Sequence, residues 1–256
     1  MDAETDKTTQ AGGAEAAGPS GWKDHGHLLW TEWIKPLFII GLVMFSFRSA
    51  VADWNDVPTG SMKPTILEGD RIFINKVAYD LKFPFTRYRL AQWSDPQWGD
   101  VVVLRSPEDG KRLVKRVVGL PGDVLQVRGS CLVRNGQEAM YIPRADSDFE
   151  EVSSTSDMRY HFYTEDFEGR QHFMMAPERC DAPPGGRFLY IRPRFYQVPE
   201  SKYFVMGDNR GNSRDSRYFG YVERNAILGQ ATAVALSLNR NDYYKPRWDR
   251  FFTHLP

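Results

Sequence analysis

The chain has 256 residues, and its 33 basic and 33 acidic side chains leave a formal net charge of zero. That length allows one sizeable domain with additions, or two small domains, and the charge balance points away from a nucleic-acid partner. The two cysteines, Cys131 and Cys180, form no CxxC or CxxCH spacing, which excludes the common zinc and haem motifs. Either a disulfide or a pair of free thiols is consistent with them, depending on the compartment.

Residues 1–28 are Ala, Gly, Thr and acidic residues with hardly any large apolar side chain. Such a segment cannot bury enough surface to offset its ordering entropy and is expected to be a disordered tail. It has no apolar core of its own, so it is not a signal peptide.

From Trp30 the character changes, with an uncharged apolar run from Pro36 to Phe47 bounded by Lys35 and Arg48. The run alone is shorter than the ~20 residues of a bilayer span. Lys35 and Arg48 can snorkel, however, and Trp30, Trp33 and Trp54 stand where interfacial aromatics belong. Residues 29–52 are therefore expected to form a single transmembrane anchor in a lipid bilayer, with a buried or interfacial amphipathic helix as the competing reading. The flanking cations are balanced and do not set its direction.

Residues 53–256 read as β-rich. Asp100–Arg105, Lys111–Gly119, Asp123–Arg128, Cys131–Arg134 and Lys202–Met206 are short apolar stretches separated by Pro/Gly turns, and Arg71–Tyr79 opens with period-two alternation. Asn135-Gly136 is the strongest hairpin signal in the chain. This pattern predicts a mainly β, antiparallel architecture. The segment Leu81–Gly99 is aromatic without a regular period, consistent with a loop resting on a membrane surface or with plain aromatic packing. Residues from about 138 to 198 are acidic and aperiodic and are expected to be a solvated, irregular insertion. Gly207–Gly220 holds too many Gly, Asx and Ser residues for a helix and is expected to be a polar loop.

Two stretches carry candidate chemistry. In Val57–Ile66, Ser61 sits between Gly60 and Met62 with prolines on either side, a rigid turn that presents a hydroxyl. Thr59 places a second hydroxyl two residues upstream. A serine nucleophile needs a base. The five histidines lie in the tail, in the insertion or near the end, and no G-x-S-x-G elbow is present. The alternative base is Lys115, which strand alternation places on one face with Leu113 and Val117. Burial among aliphatic side chains lowers a lysine's pKa and frees its lone pair, whereas a strand-edge lysine would keep its ammonium in water. Ser213 is a candidate to orient the amine, and Asp215 with Arg217 reads as a structural ion pair. HExxH and GxxxxGK[ST] are absent, and no cofactor or metal is indicated.

Four blocks in order resemble the type I signal peptidases, membrane-anchored enzymes with a serine/lysine dyad. They are Pro58–Ile66, Trp98–Val103, Lys115–Asp123 and Gly207–Arg217, and the resemblance runs from Trp30 to about Leu236. It implies a signal-peptidase-like catalytic domain of antiparallel β-sheet behind one N-terminal transmembrane helix. It implies Ser61 as nucleophile, Lys115 as general base, and Ser213, Asp215 and Arg217 as supporting residues. The oxyanion hole would be Thr59, where many members have serine, together with the backbone of Ser61. The implied substrates are secretory preproteins with small-x-small cleavage sites. The implied location is a bacterial-type inner (cytoplasmic) membrane, crossed once, with the catalytic domain on the outer, periplasmic face. Two other readings are a self-cleaving serine/lysine protease of the repressor type and a catalytically dead envelope-binding module. The first lacks a DNA-binding domain, and the retention of both Ser61 and Lys115 speaks against the second.

Overall fold

The computed structural model describes residues 30–83, 86, 88–153, 159–180, 192–240 and 242–256. The expected tail lies outside the described residues, as do His25 and His27. The chain divides into two units, residues 1–46 and 47–256. In the first, a π-helical turn at Trp30–Ile34 leads into the helix Lys35–Ala50, whose last residues belong to the second unit. Pro36 falls in the helix's first turn, where a missing N–H is tolerated. The large apolar side chains from Leu37 to Phe45 are exposed. Sixteen α-helical residues rise about 24 Å, and no helix among the described residues is long and apolar enough to cross a membrane.

In residues 47–256 the main sheet runs in the order Ala52–Asp56, Asp70–Asn75, Ile227–Asn239, Val101–Arg105, Arg112–Gly119, Lys202–Met206, Val222–Glu223, and every neighbouring pair is antiparallel. Asp70–Asn75 shows the predicted alternation, burying Asp70, Ile72 and Ile74 and turning Arg71 and Phe73 outward. Val101–Leu104 are buried without interruption because that strand is covered on both faces. The strand Ile227–Asn239 pairs with Val101–Arg105 near its start, with Asp70–Asn75 from Gln230 onward, and with Lys245–Pro246 at its end. Register shifts along it at Ile227/Gly229, Ala231/Ala233 and Val234/Leu236 accompany that change of partner.

A second sheet joins Arg194–Gln197, Val124–Arg128, Cys131–Arg134 and Gln137–Glu138. Its last hairpin turns at Asn135-Gly136, both in the left-handed region (φ 53° and 83°), as the dipeptide predicts. The aromatic segment also contains a short ribbon, Asp80–Lys82 against Arg89–Gln92, and leaves Tyr88, Leu90 and Trp93 exposed.

The insertion departs from the sequence reading. Met140–Arg144, His161–Phe167 and Arg170–Ala176 form a regular three-stranded antiparallel sheet rather than irregular chain. The period was hidden because this sheet buries Thr164, Glu165 and His172 beside its apolar residues. Its hairpin turns at Glu168-Gly169, with φ of 54° and 82°. The loop Gly207–Gly220 likewise contains one helical turn, Ser216–Phe219, capped by the Asp215 carboxylate, which accepts from Arg217 N–H at 3.2 Å.

Cys131 and Cys180 are joined in a disulfide with Cα atoms 5.7 Å apart, tying the second sheet to the chain that follows Arg170–Ala176. Closing a separation of 49 residues stabilises by about 4 kcal/mol in the chain-entropy treatment. A Cys131→Ala/Cys180→Ala variant should therefore unfold at lower denaturant, by up to that free energy. An unchanged unfolding midpoint would show that the bridge adds nothing to the native state.

Candidate active site

The turn Gly60–Met62 is a short 3₁₀-helix, half-buried at Ser61 and fixed beneath by the fully buried Met62. Thr59 precedes it in an extended conformation (φ −125°, ψ 149°), is exposed, and makes no side-chain capping bond. The first N–H groups of such a turn lack intrahelical acceptors.

Lys115 comes from the middle of Arg112–Gly119 and is only 2 % exposed. Its Nζ lies 2.6 Å from Ser61 Oγ, across 54 residues of sequence. Burial lowers its pKa from the ordinary lysine value to about 8. The Asp215 and Asp208 carboxylates oppose that shift and Arg217 assists it. Strand alternation among aliphatic neighbours thus gives an amine that ionises near neutrality at hydrogen-bond distance from a serine hydroxyl.

Asp215 and Arg217 form the expected ion pair, with Nε and Nη2 each 2.8 Å from a carboxylate oxygen. Desolvation works against the buried Asp215 carboxylate, yet Arg217 and the Gly207 N–H (3.0 Å) hold its pKa below the usual range. Ser213 is buried close enough to Asp215 to favour its ionised form, but its Oγ meets hydrogen-bond geometry with no partner among the described residues. The contact shown by Lys115 Nζ is therefore the one to Ser61.

Several residues that the sequence did not single out build the scaffold. Arg116, next to Lys115 on the strand, points to the opposite face and is fully buried. It makes a bidentate pair with Asp208 at 2.9 and 2.7 Å, and Thr65 Oγ1 donates to the same carboxylate at 2.6 Å. Arg116 Nη1 donates to the Gly99 and Pro256 carbonyls at 2.7 and 2.6 Å. Asn209 N–H donates to the Ser61 carbonyl at 3.1 Å and its side-chain amide to Gly60 O at 3.2 Å. On its other side the loop pairs with Met175: Met175 N–H donates to Asp208 O and Arg210 N–H to Met175 O, both at 2.9 Å. Gly207 has no room for a side chain, since a Cβ there would meet the Ser61 carbonyl and Ser213 Oγ at 2.3 Å. Arg116 and Asp208 are 92 residues apart, Thr65 and Asp208 143, and Asn209 and Gly60 149, so local sequence carried no signal for these contacts. Among the described histidines none bonds Ser61, and the buried His172 packs against Glu165 and Trp98.

A model of the family described as signal peptidase, peptidase S26, matches residues 30–236. The chain belongs to that family. It is 29 % identical to a signal peptidase I of Buchnera aphidicola subsp. Schizaphis graminum over 82 % of this chain and 76 % of the relative. It is 33 % identical to a signal peptidase I of Pseudomonas fluorescens over 82 % and 73 %. A crystal structure of a signal peptidase I from Enterococcus faecalis V583 is 28 % identical, covers 54 % of this chain and 98 % of that one, and superposes with a TM-score of 0.32. As a member of the signal peptidase family the chain is a serine endopeptidase that removes signal peptides.

Two substitutions test the scaffold. Asp208→Ala leaves Arg116 buried and unpaired and should destabilise by about 3–5 kcal/mol, read by chemical unfolding. Gly207→Ala should keep the fold by circular dichroism while displacing the Ser61 turn, lowering kcat/KM about 10²-fold. Wild-type activity in Gly207→Ala would mean that the close approach is not needed.

Proposed function

We propose that Ser61 and Lys115 form the catalytic dyad of this signal peptidase. The observation that carries the reading is the 2.6 Å contact between Lys115 Nζ and Ser61 Oγ, made by an amine whose pKa is lowered to about 8. Neutral Lys115 accepts the hydroxyl proton as Ser61 Oγ attacks the carbonyl carbon of the residue before the cut. The resulting oxyanion is held by the Ser61 N–H and the Thr59 hydroxyl. The Lys115 ammonium then gives its proton to the leaving amine, and water, deprotonated by the same lysine, hydrolyses the acyl-enzyme. Loss of one oxyanion donor typically lowers the rate about 10²–10³-fold.

Asp215 and Arg217 act by mutual neutralisation. A lone Asp215 carboxylate would hold Lys115 charged, and Arg217 cancels much of that field. The buried Ser213 Oγ is the group on the catalytic loop available to align the amine. The substrates are secretory preproteins with small residues before the cut.

The enzyme is anchored in a bacterial-type inner membrane by one helix, with the catalytic domain on the outer face. Support comes from the helical path from Trp30 to Ala50, uncharged between Lys35 and Arg48 and exposing its large apolar side chains. Cations Lys35 and Arg48 bound the apolar run, and Trp30 and Trp33 stand at its start, where snorkelling and interfacial side chains belong.

Detergent-solubilised protein should cleave a precursor with an Ala-x-Ala site, and folded Ser61→Ala and Lys115→Ala variants should not. Activity retained by Lys115→Ala would remove the lysine from the mechanism. Because the base must be neutral, kcat/KM should rise with pH through an inflection near 8 and flatten above it. A rate that falls over that range would reverse the proposed proton transfer.

A further inference from the structure

Immediately after the apolar helix, three cations converge on one carboxylate. Arg48 Nη2, Lys76 Nζ and Arg112 Nη1 lie 3.2, 3.3 and 3.5 Å from the oxygens of Asp53. Asp53 is nearly buried, and its Oδ1 also accepts from Trp54 N–H at 2.9 Å. Arg112 is further held by Asn55 Oδ1 at 3.0 Å, and Lys76 by the Arg48 carbonyl at 3.0 Å. Asp53 thus offers one negative charge to three cationic side chains. The Arg48 and Arg112 side chains remain about half exposed, at 51 % and 46 %.

An apolar surface adjoins this cluster. The Arg48 guanidinium stacks 4.7 Å over the Trp54 ring, and Trp54 is paired across the strands with Phe73. Both rings are exposed, at 55 % and 39 %. An aromatic surface beside a fixed excess of cationic donors matches a ligand that is apolar at one end and anionic at the other. Guanidinium groups suit phosphate oxygens in particular.

We propose that Arg48, Lys76 and Arg112, with Trp54, bind the headgroup phosphate of an anionic phospholipid. This rests on the membrane-anchored reading above. The site also has a consequence for catalysis. Arg112 stands three residues before Lys115 on the same extended strand, a rise of about 10 Å. A headgroup held by Arg112 therefore fixes the dyad close to the bilayer surface, where a precursor's apolar segment emerges.

The test uses the full chain in a neutral detergent, titrated separately with dioleoyl phosphatidylglycerol and dioleoyl phosphatidylcholine, with bound lipid counted by native mass spectrometry. Wild type should retain phosphatidylglycerol at about tenfold lower concentration or better. In Arg48→Gln/Arg112→Gln, Lys76 still neutralises Asp53, so no buried charge is left unpaired, and the preference should vanish. Arg48→Lys/Arg112→Lys should restore most of it. If the double variant fails to fold by thermal melting, Arg48→Gln alone carries the same test. Equal retention of the two lipids by wild type, or an undiminished preference in the Gln variant, would overturn the proposal. So would displacement of phosphatidylglycerol by inorganic phosphate at equal concentration, which would assign the site to a free anion. Cleavage of an Ala-x-Ala peptide by the same wild-type preparation is read separately. Failure there would strike at the dyad and leave the lipid result standing.

Discussion

The buried pair between Arg116 and Asp208 is the constraint on which the site depends. Taking two charges out of water is expensive, and attraction in the interior repays it only when the geometry is good and the remaining donors are satisfied. Here the Arg116 guanidinium is bidentate to Asp208 and also bonds the Gly99 and Pro256 carbonyls, while Thr65 donates to the same carboxylate. One node therefore fastens the segment Pro58–Ile66 through Thr65, the turn at Gly99, the strand that carries Lys115 and the loop Gly207–Gly220. Desolvation opposes the Asp208 charge, and Arg116 overcomes it, keeping its pKa below the usual carboxylate range.

Neighbouring cations on that strand meet the same burial with different partners. Arg116 meets a carboxylate at direct contact. Lys115, one residue earlier and on the other face, has its closest acidic influences in Asp215, already paired with Arg217, and Asp208, already paired with Arg116. Burial prevails there and brings the ammonium's pKa down towards neutrality. A strand has two faces, and distributing counter-ions unequally between them lowers one lysine's pKa towards the range that the proposed base needs. The loop Gly207–Gly220 then holds the Ser61 turn in place. Asn209 holds the Ser61 turn by its carbonyls, Gly207 lets the two backbones approach, and Met175 supports the loop from the inserted sheet.

The readable parts of this arrangement were local. Alternation placed Lys115 between Leu113 and Val117, the flanking prolines marked the Ser61 turn, and Asn135-Gly136 announced its hairpin. Asp215 and Arg217, two residues apart, paired as their spacing suggested. What could not be read was long-range or lacked an apolar pattern. The sheet from Met140 to Ala176 buries Glu165 and Arg210 as an ion pair, with Tyr141 Oη 2.8 Å from Glu165. A strand whose inward face carries Thr164, Glu165 and His172 gives no hydrophobic period. The Arg116–Asp208 contact spans 92 residues, and nothing in either neighbourhood distinguishes a buried arginine from a solvated one. The cysteine pairing was equally open until the second sheet and the inserted sheet were seen to meet at Cys131 and Cys180.

The central claim is that Lys115 is a neutral amine when Ser61 reacts. It is tested most directly by following the ¹⁵N resonance of the Lys115 side chain against pH in the full chain, assigned with Lys115→Arg. An inflection at about 8 is expected. A side chain that stays protonated up to the ordinary lysine range would contradict the lysine's role as base, whatever its distance from the serine.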